Sequence, residues 1–158
     1  MAKPLKYPVS ALVVLHDADG NILLIERTSP QGFWQSVTGS IEPDETIEET
    51  AKREVWEETG IRLADGQLCN WHDSTVYEIY HHWRHRYPKG VFENREHIFS
   101  AEIPRDAAAI QPRIGRTARG CRIVAGRDVP DLAGKARLRE DLARKSRPAD
   151  VGRPVKVV

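Results

Sequence analysis

Three carboxylates and a guanidinium fall within six residues, Arg53-Glu54-Val55-Trp56-Glu57-Glu58, and no other part of the chain concentrates chemistry so tightly. If this stretch is helical, about 100° of turn per residue gathers Glu54, Glu57 and Glu58 on one side, bordering an apolar stripe and not opposite it. Acids placed there repel one another and lose hydration unless cations or protons relieve them. All-oxygen donors select hard cations, Mg²⁺ foremost with Mn²⁺ as an alternative, and such ions also grip phosphate oxygens. The competing reading is a solvent-facing helix laced with i,i+4 pairs such as Arg53 with Glu57.

The elements that would position these groups can be read from pattern. Thr46-Ile47-Glu48-Glu49 has the form of a capping box, Pro43 stands just before it, and Gly60 is placed to end the helix in a left-handed conformation. Ile47, Ala51 and Val55 recur every four residues and should face a sheet. Strands are predicted over Val9–His16 and Ile22–Arg27, joined by the turn text Asp17-Ala18-Asp19-Gly20-Asn21. Further strands are predicted over Phe33–Thr38, Leu68–His72, Thr75–His82 and His97–Ile103, with a loop at Pro88, Lys89 and Gly90.

Gly39, five residues, Glu45, seven residues, then Arg53-Glu54-Val55-Trp56-Glu57-Glu58-Thr59-Gly60-Ile61 resembles the signature of the Nudix hydrolase family throughout. The resemblance implies an α/β fold, an α/β/α sandwich with a mixed sheet and a loop-helix-loop catalytic motif. It implies a Mg²⁺-dependent pyrophosphohydrolase with Glu54 and Glu58 as main metal ligands and Glu57 shared among metals. The Gly39 carbonyl would be a further ligand, and Arg53 would orient Glu54. In such sites metals neutralise developing charge and lower the pKa of an attacking water.

Outside this motif, Lys6, Pro8-Val9-Ser10, Phe33 to Ser40, Arg84-His85-Arg86-Tyr87, Gly90, Asn94, Glu96 and Phe99 are similar to one bacterial branch of the family. That branch removes pyrophosphate from dihydroneopterin triphosphate in folate synthesis and is also described as acting on dATP. From residue chemistry, Lys6, Arg27, Arg84 and Arg86 could hold phosphates. Trp34, Tyr77 and Tyr80 could pack against a heterocycle, with Trp34 equally readable as core or rim. The resemblance adds Thr38 to the substrate contacts. His81, His82, His85 and His97 are read as surface or phosphate contacts and not as a metal cluster.

The remaining composition bounds the function class. The 158 residues fit one compact domain and carry a net charge of +1. Residues 1–104 hold 10 Lys/Arg against 17 Asp/Glu, whereas residues 105–158 hold 14 against 6, and all 11 aromatic residues lie at or before Phe99. A Nudix domain is therefore expected over 1–104. Residues 105–158 would be a basic, aromatic-free segment departing from the family, disordered or aberrant, as if read out of frame from GC-rich DNA. Relatives supply a further glutamate there, whereas no acid lies between Asp106 and Asp128.

This leaves two alternatives to the enzyme: a catalytically impaired Nudix fold, or a nucleotide- or nucleic-acid-binding protein using the basic tail. Lys135 to Lys145 could form a short amphipathic helix, marginal alone. Cys69 and Cys121 read as reduced thiols of a cytoplasmic protein, and no zinc spacing is present. No apolar run suggests a signal peptide or a membrane span. A small-molecule triphosphate is the expected partner, without membrane or nucleic acid, for a monomer or a homodimer.

Overall fold

A computed structural model describes residues 3–27, 34–108 and 118–125. β1 (Val9–His16) and β2 (Asn21–Arg27) form the expected hairpin. Asp17 sets the turn: its carboxylate accepts the Asp19 and Asn21 amides at 3.0 and 2.8 Å and the Asn21 side-chain amide at 2.7 Å. Gly20 takes φ +80°, which a side chain would resist.

The strands of this hairpin pair with each other only at their turn ends, Leu15 with Leu23 and His16 with Ile22. Into the gap run residues 34–40, where one strand was expected over Phe33–Thr38, and the stretch divides at the buried Ser36. β3 (Trp34–Gln35) pairs with β2, and β4 (Val37–Ser40) pairs with β1. Phe33 lies outside the described residues. β6 (Glu93–Glu102) runs parallel to β1 and antiparallel to β5 (Leu68–Glu78). The sheet is therefore mixed, as expected.

Two strands anticipated over 68–82 are a single β5, whose pairing shifts register between Asn70 and Ser74. There His72 adopts φ +50° and its amide bonds the Asn70 side chain at 2.8 Å, so the irregularity is a bulge and not a turn. Residues 81–86 leave the sheet altogether and form a 3₁₀ turn, His81–Arg86. Within the basic segment, β7 (Ala118–Ala125) pairs antiparallel with β2. The helix considered over Lys135 to Lys145 lies outside the described residues.

α1 (Ile47–Thr59) forms as its sequence dictates. The Glu49 amide donates to Thr46 Oγ1 at 3.2 Å while Glu49 Oε2 accepts from the Thr46 amide at 2.7 Å. Gly60, at φ +77°, closes the helix through its amide to the Trp56 carbonyl. Ala51 and Val55 are fully buried against Ala11, Val13, Leu15, Val37 and Phe99, with Ile47 packed at the margin. On the opposite sheet face Leu12, Val14, Ile22, Leu24 and Ile98 are buried too.

Candidate active site

Gly39 on β4 faces α1, since its register partner Ala11 belongs to the core on that side. A β-carbon at Gly39 would overlap the carboxylate of Glu54, so the glycine is what admits that side chain to the sheet surface. Arg53, one residue earlier, is the hub of the motif. Its Nε donates to Glu45 Oε1 at 2.6 Å, its terminal nitrogens to Glu45 Oε2, the Ser40 carbonyl and Glu54 Oε1 at 3.1, 3.0 and 2.8 Å. A longer contact of 3.4 Å reaches Glu57. Burial opposes the charge on Arg53, but Glu45 and Glu54 outweigh it and raise its pKa. Hydrogen bonding from Arg53 holds Glu45 down at about 2.

The next two carboxyls are pushed the other way. Burial foremost raises Glu54 to about 6, with Arg53 acting against it and Glu57 in the same direction. Burial and then the charge of Glu54 raise Glu58 to about 8, partly offset by a hydrogen bond from the Thr38 backbone amide. Only 8% of Glu58 is exposed, and its Oε2 is buried without a hydrogen-bond partner among the described residues.

A hard divalent cation suits such a donor set, because it would satisfy a buried carboxylate oxygen and remove the repulsion between Glu54 and Glu58. Among the described residues no three Asp, Glu, His or Cys side chains converge closely enough to enclose an ion, Glu57 being drawn toward Arg53. One or two carboxylates completed by water and phosphate oxygens is the coordination that Mg²⁺ ordinarily accepts. The residues present therefore fit an ion shared with a ligand better than a closed protein cage.

Cations face these acids. Lys6 and Arg27 are both depressed in pKa, by burial first and by Arg86 next, while Glu54 and Glu58 pull Lys6 upward and Glu58 does the same for Arg27. Lys6, Arg27 and Arg86 thus share one electrostatic neighbourhood with the buried carboxyls. The Lys6 amide donates to the Arg86 carbonyl at 2.8 Å, and the Arg27 guanidinium lies 4.8 Å from the centre of the Trp83 ring. An oligophosphate would meet cationic and metal-holding groups together.

The other anticipated residues lie elsewhere. Arg84 turns back on its own turn, pairing with Glu78, donating to the Ile79 carbonyl at 3.1 Å and stacking over Phe92. Thr38 gives its amide to Glu58, but its hydroxyl donates to the buried Glu96 at 2.9 Å on the far sheet face. Tyr77 meets Asn94 in that same polar layer at 2.8 Å, next to Ser10. Tyr80 is exposed and stacks with His82 at 5.8 Å, and Trp34 is half-buried opposite Glu26.

Sequence reasoning overlooked Glu45 as the main partner of Arg53, Trp83 under Arg27, and the burial of Glu96 against Ser10 and Thr38. Glu96 carried a signal, being an acid between Asn94 and Ile98 in a strand whose alternate residues are buried.

The NUDIX domain family matches residues 6–139. The chain belongs to the Nudix family. Its Nudix relatives include the dihydroneopterin triphosphate diphosphatase of Escherichia coli K12, 41% identical over 107 residues, which are 66% of this chain and 71% of that protein. The protein of the same name from Haemophilus influenzae is 38% identical over 61% of this chain, and the match spans 63% of its length. The E. coli dihydroneopterin triphosphate pyrophosphohydrolase structure superposes with a TM-score of 0.74 at 33% identity, covering 90% of this chain and 97% of that one. Members of the Nudix family generally use a divalent metal, in keeping with the donor set around Glu58.

Proposed function

We propose that this chain hydrolyses a triphosphate to a monophosphate and pyrophosphate with Mg²⁺, with 7,8-dihydroneopterin triphosphate or dATP-like nucleotides as substrates. The observation that carries the reading is Glu58, a buried carboxyl with an oxygen unpartnered among the described residues, beside Glu54 and in the field of Lys6 and Arg27. The similarity to two dihydroneopterin triphosphate diphosphatases supports the pterin triphosphate.

Glu54 and Glu58, with Glu57 and the Gly39 carbonyl, would hold Mg²⁺ or Mn²⁺, which supplies charge neutralisation and a water of lowered pKa. Arg53 fixes the Glu54 carboxylate against β4. Lys6, Arg27 and Arg86 draw the oligophosphate into the site. Residues 1–104 carry this machinery, and the setting expected from the two thiols is the cytoplasm.

The test is an assay panel with the purified full chain and Mg²⁺, offering dihydroneopterin triphosphate, dATP, other nucleoside triphosphates and a dinucleoside polyphosphate, with separation of products. Pyrophosphate should be released, and Glu57→Gln or Glu58→Gln should lower kcat about 100-fold or more. Equal, feeble rates on every compound would remove the pterin assignment. Saturable binding with no pyrophosphate would favour a Nudix fold that retains nucleotides without turnover.

A further inference from the structure

β5 ends the sheet on one side, and among the described residues only β6 pairs with it. Its two backbone edges differ. The Ile79 amide donates to the Phe92 carbonyl, so in the antiparallel ladder Tyr77 and Thr75 also turn their backbone groups inward, whereas Glu78, Val76 and Ser74 turn theirs outward. Arg95, opposite Val76, agrees with this, since its amide donates away from β5 to the Pro8 carbonyl. Outward backbone groups on an edge are a template for another strand.

This edge is regular only from Ser74 to Glu78. Before it, the bulge between Asn70 and Ser74, with His72 at φ +50°, breaks the register. Beyond it the chain leaves the sheet for the 3₁₀ turn at His81. Ser74-Thr75-Val76-Tyr77-Glu78 contains no lysine or proline of the kind that blunts an exposed edge, and Val76 at its midpoint is 48% exposed.

We propose that this edge is a dimer interface, in which Ser74–Glu78 pairs antiparallel with the same segment of a second copy about a two-fold axis at Val76. The outward groups set the register: Val76 exchanges backbone bonds with its counterpart, and Ser74 exchanges them with the partner's Glu78. The side chains complete the match. Arg95 donates to Ser74 Oγ at 2.9 Å, so its guanidinium stands where the partner's Glu78 arrives. Glu78, its side chain 74% exposed beside Arg84, meets the partner's Arg95 in return. Charge complementarity of the segment with itself thus selects a second copy as the occupant, and a slipped register would part the charges.

Sedimentation velocity of the full chain tests the pairing. Wild type should be dimeric at about 100 µM and dissociate on dilution, as befits a small interface. Arg95→Glu and Glu78→Arg should each weaken self-association about tenfold or more, because each sets like charges opposite one another. An equimolar mixture of these two variants should associate within about threefold of wild type, since every contact in the mixed pair again joins opposite charges. Val76→Pro, which removes an outward amide and no bond to β6, should also dissociate the dimer. Hydrogen exchange should show the Ser74, Val76 and Glu78 amides protected in the dimer and open in the monomer.

A monomeric wild type at that concentration would overturn the proposal, with open amides pointing to a different partner and protected amides to cover by the chain itself. So would charge variants that dimerise like wild type, or a mixture that associates no better than either variant alone. Circular dichroism of each variant separates a lost fold from lost pairing.

Discussion

At Gly39 a missing side chain does the positioning. The Glu54 carboxylate occupies the space of a β-carbon, so Gly39→Ala must displace it from β4 and from Arg53. We expect kcat to fall on the order of 100-fold, as for other small misplacements of reacting groups. Thermal unfolding and circular dichroism should change little. Glu58 makes a different prediction. Its folded pKa of about 8 exceeds the ordinary 4.5, so its contribution to stability is full below pH 4.5 and is lost as pH rises through about 8. In metal-free protein Glu58→Gln should therefore melt higher than wild type at pH 9 and at the same temperature at pH 4. The Arg53 hub, by contrast, was legible only in part. The sequence pairs Arg53 with Glu57, but the strongest contacts run to Glu45, eight residues back, because a loop bends that carboxylate onto the helix.

Among the elements, α1 was readable almost residue by residue because its cap, stripe and terminator act within a few positions. Thr46→Ala removes one half of the capping box and should destabilise the protein by about 1 kcal/mol, seen as a lower urea midpoint with an unchanged slope. Activity should fall only as far as the folded fraction does. The strand text of residues 34–40 could not announce its division, which arises because β1 and β2 part company and each claims half of it. The predicted strand ran on to His82 because Val76, Tyr77, Ile79 and Tyr80 suit a strand, and nothing local revealed the 3₁₀ turn that begins at His81. Arg84 and Arg86 looked equivalent. The turn sends one to Glu78 and the other toward Lys6 and Arg27.

On the scale of the whole molecule, β7 joins part of the basic segment to the sheet. Ala118-Arg119-Gly120-Cys121-Arg122-Ile123-Val124-Ala125 lacks aromatics and has little apolar alternation, so its strand character depends on the partner β2 and not on its own composition. Deleting residues 105–158 would strip one edge of β2 of its pairing. The shortened chain should lose cooperative unfolding and aggregate, which light scattering on purified protein would register. A soluble, cooperatively folding 1–104 fragment would show instead that the fold does not need β7.

The central claim is that at neutral pH Glu58 ionises only when a divalent cation is among its neighbours. Because its carboxyl holds a proton at pH 7 in the metal-free protein, cation binding must expel it. Calorimetric titration of the substrate-free chain with Mg²⁺ at pH 7, in two buffers of different ionisation enthalpy, counts that proton. The account predicts release of about one proton per ion bound, abolished by Glu58→Gln. Mg²⁺ binding with no proton release, or no Mg²⁺ binding at all, would contradict it.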